Sequence, residues 1–453
     1  MLFHSVFSAE TAVYHDVFSS RIAAPWDEGR VRQAVAAAMR RHAVLRTSLA
    51  PSGYSRPLQL VHRDVAVPLA VEDLRALSAE EQEARVAAWL QAEKQRTFDW
   101  TVAPLFLIQV HRLAESQFQL SLSFHHAILD GWSVATLLAE LFAEVGAMQE
   151  GVAAAIPPPG RSYRDFVALE AAAVDSPETR AYWQDLLAGH SRTQLPRLPG
   201  VRGGLGTLGV EQRQLDPRLT AGVKTLAQHS GVPLKTVLLA AHLRVLALVS
   251  GQADVLTGLV SNSRPEEADG ERVLGLFLNT LPMRLTLRPE SWPALLQRVF
   301  QAEREGLPHR RYPAGRLQRE HPGEPLYETA FNYNHFHVYG RLEGRPGLEI
   351  SRPQVFERTN FTFVASFQQS PDSTAVELTL TYDAGQLSEE QVSAIAGYYE
   401  RAFESMVETP EQPYQWQSLL SPEEEKELLS WNANEQKYLP ELCVHEAFAT
   451  KAA

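Results

Sequence analysis

Phe118-Gln119-Leu120-Ser121-Leu122-Ser123-Phe124-His125-His126-Ala127-Ile128-Leu129-Asp130-Gly131 is the stretch that decides the reading of this chain. Its first seven residues alternate apolar and polar, the period-2 signature of a strand with one face on a core. If that geometry persists for two more residues, His126 falls on the apolar side and His125 on the polar side. Beyond Gly131, residues Val134, Leu137, Leu138, Leu141, Phe142 and Val145 stand at helical spacing, with Ser133 placed to cap the first turn. His126 is thus expected in a strand-to-helix turn, facing inward.

A neutral imidazole in a sheltered space can take a proton near pH 7, because its unperturbed pKa is about 6.5. The same position also suits a histidine that merely satisfies a core, and the residues alone leave both readings open. Zinc held by His125 and His126 together is disfavoured, since adjacent strand residues point to opposite faces. His335 and His337 alternate on an expected strand, 331–338, without a carboxylate at suitable spacing. There is no Gly-x-Ser-x-Gly elbow, and Gly203-Gly204-Leu205-Gly206 lacks the Lys-Ser/Thr of a phosphate loop. No metal is expected.

Working outward, Asp27 can cap a helix with Val31, Ala34, Val35, Ala38 and Met39 on one face, and Ser78 with Glu81 forms a capping-box pair. Strands are expected at 105–110, 255–260, 276–287 and 374–382, and helices at 163–173, 178–187, 236–249, 292–304 and 389–406. Pro157-Pro158-Pro159 interrupts the chain between two mixed halves. The 453 residues exceed the roughly 250 to 300 at which one core stops growing, so two lobes are expected. The predicted fold class is α/β, with mixed α+β lobes over 1–158 and 159–418 and a linker over 419–453.

With 45% hydrophobic and 21% charged residues the chain reads as a folded globular protein. A formal charge of −12 without a basic stripe argues against nucleic acid. Cys443, the single cysteine, excludes an internal disulfide and suits a reducing compartment. The most apolar helix, 236–249, carries His242 and Arg244 and is shorter than the roughly 20 residues that span a bilayer. Met1-Leu2-Phe3-His4-Ser5 has no basic n-region. A cytoplasmic protein with no membrane partner is expected.

His125, His126, Asp130 and Gly131 meet in full the His-His-x-x-x-Asp-Gly hallmark of the condensation domains of nonribosomal peptide synthetases, which the chain resembles. The resemblance extends along nearly the whole sequence. Arg41-His42-Ala43-Val44-Leu45-Arg46-Thr47, Tyr163-Arg164-Asp165-Phe166, Tyr182-Trp183, Gly275-Leu276-Phe277-Leu278-Asn279-Thr280 and Pro282-Met283-Arg284 are similar to family segments, in the expected order. The opening residues look like the interior of the family's first motif, implying that an upstream part is missing. Trp431-Asn432-Ala433-Asn434 through Phe448 looks like the linker into an adenylation domain. The chain departs from the family at His309-Arg310-Arg311-Tyr312-Pro313-Ala314-Gly315, where many members carry His-x-Asp-x-Pro-Phe-Glu.

The resemblance implies two chloramphenicol-acetyltransferase-like lobes in a V-shaped pseudo-dimer, with a tunnel at their junction. Upstream donor and downstream acceptor carrier proteins would bring phosphopantetheine-bound thioesters to it, for peptide-bond formation in antibiotic or siderophore biosynthesis. No cofactor bound to the chain itself is expected. His126 is implied as general base or as hydrogen-bond partner of the tetrahedral intermediate, with His125, Asp130 and Gly131 completing the catalytic motif. Asp130 is expected in a structural ion pair, with Arg284 first and Arg46 second, and Gly131, Trp132, Ser133 and Asn279 are expected along the tunnel. The helix starting near Ser133 could add donors for an oxyanion. Alternatives within reach of the sequence are an epimerisation domain of the same family, a coenzyme A-dependent acyltransferase and a non-catalytic docking module.

Overall fold

The computed structural model describes residues 14–152, 156–198, 201, 207–267, 269–334, 348–351, 354–357, 359–369, 375–432 and 443–453. His335, His337, Gly203 to Gly206, the opening residues and residues 433–442 of the expected linker lie outside them.

The alternating segment forms strand β6 (Gln117–His125). Phe118, Leu120, Leu122 and Phe124 pack into a core with Ala34, Val35 and Met39 of the helix Glu28–Arg41 and Leu137, Leu138 and Leu141 of the helix Gly131–Gln149. Its polar face was expected to meet water and does not. Gln119, Ser121 and Ser123 are also buried, and their polar groups find partners on β1 and on the helix Ala79–Glu93. Ser121 Oγ lies 2.7 Å from Ser19 Oγ, and Ser123 Oγ donates to Glu93 Oε1 at 2.6 Å. Burying hydroxyls is tolerable because each finds a partner.

β1 (His15–Ala23) runs antiparallel to β6 through nine pairs, from His15↔His125 to Ala23↔Gln117. β2 (Thr47–Ala50) and β3 (Leu58–Val61) form a separate ribbon. β4 (Leu69–Asp73) and β5 (Phe106–Ala114) extend the first sheet beyond β6. The second sheet has the order β7 (Leu208–Gln214), β14 (Val376–Asp383), β13 (Phe363–Gln369), β10 (Thr329–Asn334), β8 (Asp254–Asn262) and β9 (Leu278–Thr286). β10 is parallel to both neighbours and the remaining pairs are antiparallel. Against this sheet lies the helix Leu234–Ser250, whose residues from Thr236 to Leu243 are buried on every side, as its apolar composition requires. His242 inside it is satisfied by Tyr399 Oη at 2.7 Å and Thr257 Oγ1 at 3.1 Å. Among the described residues no single helix is long and apolar enough to cross a membrane.

Two short strands, β11 (Glu349–Ile350) and β12 (Gln354–Phe356), belong by sequence to the 159–418 half but pair antiparallel with β1 in the first sheet, at Ile22↔Ile350 and Val17↔Phe356. Ser20 Oγ donates to the Ser351 carbonyl at 2.6 Å. The second half therefore crosses back, covers the edge of β1 and supplies it with backbone partners.

Candidate active site

β6 ends at His125, and the β1 pairing continues one step further as the His126 N–H donates to the Tyr14 carbonyl at 2.8 Å. The His126 ring lies 6.4 Å from the Phe124 ring, on the apolar side the alternation predicts, and its side chain keeps 17% of its surface open. Nδ1 is 2.7 Å from the Leu129 carbonyl and 3.1 Å from Asp16 Oδ2. A carbonyl can only accept, so Nδ1 carries the hydrogen. In the neutral ring Nε2 then holds a lone pair, and no described residue hydrogen-bonds it. This is the protonation state needed to accept a proton or to position an amine.

The surroundings favour uncharged groups. His125 is buried with Nδ1 accepting from the Ala127 N–H at 3.1 Å, and burial, aided by His126 and His15, pushes its imidazole down to about 4. It stays neutral and has no route to act beside His126. Burial pushes the Asp16 carboxyl well up. Glu357, one position past β12 and so opposite Asp16 in the β1 register, has its carboxyl pushed up to about 7, first by desolvation and then by Asp16.

Asp130 ties the two sheets together. Its side chain accepts the Ser133 N–H at 2.8 Å, the Phe277 N–H at 3.1 Å and Arg264 Nη2 at 2.8 Å, with 1% of the carboxylate side chain and 6% of the arginine exposed. Arg264 also donates to Ser133 Oγ and the Val273 carbonyl, and stacks over Phe277 at 4.1 Å. Ser133 Oγ in turn donates to the Gly275 carbonyl and accepts the Gly275 N–H. At Gly275 a Cβ would lie 2.2 Å from Tyr163 Cδ2, so only glycine lets the loop pass this ring.

These contacts correct three expectations. Arg284, four residues past Thr280 on β9, pairs instead with Asp254 at 2.8 Å, because the β8–β9 register puts Leu256 opposite Arg284 and leaves Asp254 as its diagonal neighbour on the same face. Arg46 spends its guanidinium on the carbonyls of Met39, His62 and Arg63. The true partner, Arg264, sits in the turn after β8 and has no motif signal of its own. The helix cap is Asp130 and not Ser133, since the helix begins at Gly131 and Asp130 is still extended. That cap consumes the Ser133 N–H, so the helix start offers fewer free donors to an oxyanion than expected.

Gly131 and Trp132 occupy the first turn of that helix, with Trp132 Nε1 donating to the Glu271 carbonyl at 3.0 Å. The Asn279 amide is committed to the backbone of Arg310, Tyr312 and Ala314, bracing the segment that departs from the family pattern instead of facing a substrate. Arg41 and His42 of the early motif hold the helix Glu28–Arg41 onto Glu140 and Glu144. A cavity of about 260 Å³ between Trp183, Met283, Phe300 and Glu303 touches no residue of the His126 segment. Among the described residues no three His, Cys, Asp or Glu side chains gather as a metal site. Sequence reasoning missed Asp16, Glu357 and Arg264. Asp16, a lone acid entering an apolar strand beside His15, was the one readable signal.

A family model described as "Condensation domain" matches residues 1–429. The chain belongs to the condensation domain family. It is 33% identical over 91% of its length to AMB antimetabolite synthetase AmbE of Pseudomonas aeruginosa, covering 19% of that protein, and 30% identical over its full length to a linear gramicidin synthase of Brevibacillus parabrevis, covering 9%. It thus spans a fifth or less of these relatives. Among solved structures, the first condensation domain of the calcium-dependent antibiotic synthetase superposes with a TM-score of 0.76 at 19% identity, over 93% of this chain and 97% of that one. The X-domain from teicoplanin biosynthesis gives 0.77 at 21%, over 91% and 94%. The fold is therefore that of a condensation domain, a mixed α/β architecture.

Proposed function

We propose that the chain forms a peptide bond between a donor acyl or peptidyl thioester and the α-amine of an acceptor aminoacyl thioester, both carried on the phosphopantetheine arms of partner carrier proteins. The observation that carries the reading is His126: a partly open imidazole, hydrogen on Nδ1, with Nε2 left free. The acceptor nitrogen bonds to the thioester carbon, the carbon–sulfur bond breaks, and the proton released by the amine passes to Nε2 and on to the departing thiolate. Because a thioester is already activated, holding two tethered substrates in register supplies much of the acceleration. Asp130 keeps the His126 turn and the helix Gly131–Gln149 fixed against the second half, and it does not touch the reacting atoms.

The domain assignment follows the same reading: 1–158 as the lobe that carries the motif, 159–418 as the second lobe, and 419–453 as a linker toward an adenylation domain. A tunnel at the junction would admit the two arms, and the assembly would work in the cytoplasm. Tethering raises each substrate to an effective concentration of order millimolar, so tight binding by the domain itself is unnecessary.

The test offers matched aminoacyl groups on carrier proteins, on coenzyme A and on a short thiol, with and without His126→Ala. Dipeptidyl product from carriers alone, lowered about a hundredfold or more by the substitution with melting unchanged, is the expected result. Equal turnover of coenzyme A thioesters would replace it with a free acyltransferase. Inversion at the α-carbon without a new amide would replace it with an epimerase, and binding of another protein with no chemistry would replace it with a docking module.

A further inference from the structure

Asp16 lies outside every motif discussed above, yet among the described residues its carboxylate is the one within ion-pair distance of the His126 ring. β1 sits between β6, which ends at His125, and β12, which arrives from the second half of the chain. The pairing Val17↔Phe356 brings the next position, Asp16, opposite Glu357. Asp16 is 5% exposed, and its Oδ2 stands 3.1 Å from His126 Nδ1 as an ion-pair contact, while the Nδ1 hydrogen is donated to the Leu129 carbonyl at 2.7 Å.

We propose that Asp16 is a positioning residue for the reaction: it restricts the His126 ring, whose Nδ1 hydrogen the Leu129 carbonyl already holds, and it balances the charge of the imidazolium that forms when Nε2 takes the amine's proton. This rests on the peptide-bond-forming reading above. The physical case has two parts. The Leu129 carbonyl lets the ring swing about one hydrogen bond, and a buried carboxylate 3.1 Å from Nδ1 on another strand restricts that swing. An imidazolium in a buried setting is costly unless an opposite charge is near, and Asp16 supplies that charge without reaching the substrate.

Glu357 sets how strongly Asp16 can act. Two carboxylates in register resist ionising together, so a charge on Glu357 weakens the ionisation of Asp16, while a proton on Nε2 favours it. The other titratable groups facing His126 do not compete. Tyr14, whose hydroxyl donates to Asn360 Oδ1, is pushed up by burial and by Asp16, while His125 and His15 are both pushed down and neutral. Because Glu357 enters on the crossover segment, the charge beside His126 depends on that segment being seated on β1.

The experiment uses the whole chain with carrier-bound substrates and compares wild type, Asp16→Asn, Asp16→Ala and Glu357→Gln. Single-turnover amide formation is followed from pH 5.5 to 9, and the His126 ring is read by ¹⁵N NMR without substrate. Asp16→Asn, which keeps an acceptor and loses the charge, should lower the rate about tenfold to a hundredfold, a part of the roughly 10²- to 10⁴-fold available from a positioned base. It should move the acid limb of the profile to lower pH, because an imidazolium without its counter-charge deprotonates more readily. Asp16→Ala should in addition broaden the His126 ring signals while the Leu129 carbonyl keeps the hydrogen on Nδ1, and Glu357→Gln should move the acid limb the opposite way by easing the ionisation of Asp16. An unaltered profile and NMR signature in Asp16→Asn, or a rate loss that only follows a lowered melting temperature, would overturn the proposal. The two readings fail separately: if His126→Ala leaves amide formation intact the catalytic reading falls, while the substrate-free NMR result still decides whether Asp16 sets the ring.

Discussion

Replacing Asp130 by alanine should unfasten the two halves of the molecule before it touches the chemistry. The carboxylate that would be lost accepts three hydrogen bonds, from Ser133, Phe277 and Arg264, and leaves Arg264 at 6% exposure without a counter-charge. Removing one partner of a buried ion pair costs about 3 to 5 kcal/mol, and losing a helix cap about 1 kcal/mol. The two share one carboxylate and do not add independently, so about 4 kcal/mol is the expected loss. At roughly 2 to 4 °C per kcal/mol for a lobe of 150 to 250 residues, the melting transition should fall by about 8 to 16 °C. Differential scanning calorimetry measures this, and urea titration supplies the free energy. The compensating variant is the stronger check. Asp130→Asn with Arg264→Met keeps the cap acceptor, removes both charges and should recover more than half of the loss, since a buried pair replaced whole is close to neutral. An Asp130→Ala protein melting within about 2 °C of wild type, or a double variant no better than the single, would refute the claim that this pair joins the halves.

Other outcomes follow from the same contacts. His242 is buried and pushed down to about 3 by desolvation, far below its unfolded value near 6.5, so it stabilises the fold above pH 6.5 and that stability is lost as pH falls toward 3. Its contribution to the unfolding free energy should therefore decline by up to about 1.4 kcal/mol per pH unit below 6.5, and a flat His242→Gln minus wild-type difference in urea titrations across pH 4 to 7 would contradict it. Gly275→Ala would press a methyl into the Tyr163 ring, which is held by Phe166 and Phe277 and by its hydroxyl bond to the Leu276 carbonyl. It should destabilise by about 1 to 3 kcal/mol, read by calorimetry, with Gly275→Ala/Tyr163→Ala restoring part of the loss.

Local pattern was enough to read much of this molecule. The strand ending at His125, the helix behind Gly131, the caps at Asp27 and Ser78, the buried helix around His242 and the family itself all follow from periodicity or from contiguous motifs, because each is set by interactions a few residues apart. The partner of Asp130 did not follow. Arg264 is 134 residues away and Arg284 is 154, and only the β8–β9 register, which aims Arg284 at Asp254, chooses between them. Nor did the sequence show that the polar face of β6 would be buried, or that β11 and β12 would pair with β1 and set Glu357 opposite Asp16. Strand alternation states that two faces differ, not what covers each. Which charge meets which is decided by long-range pairing, whose geometry exists only once the chain has closed on itself.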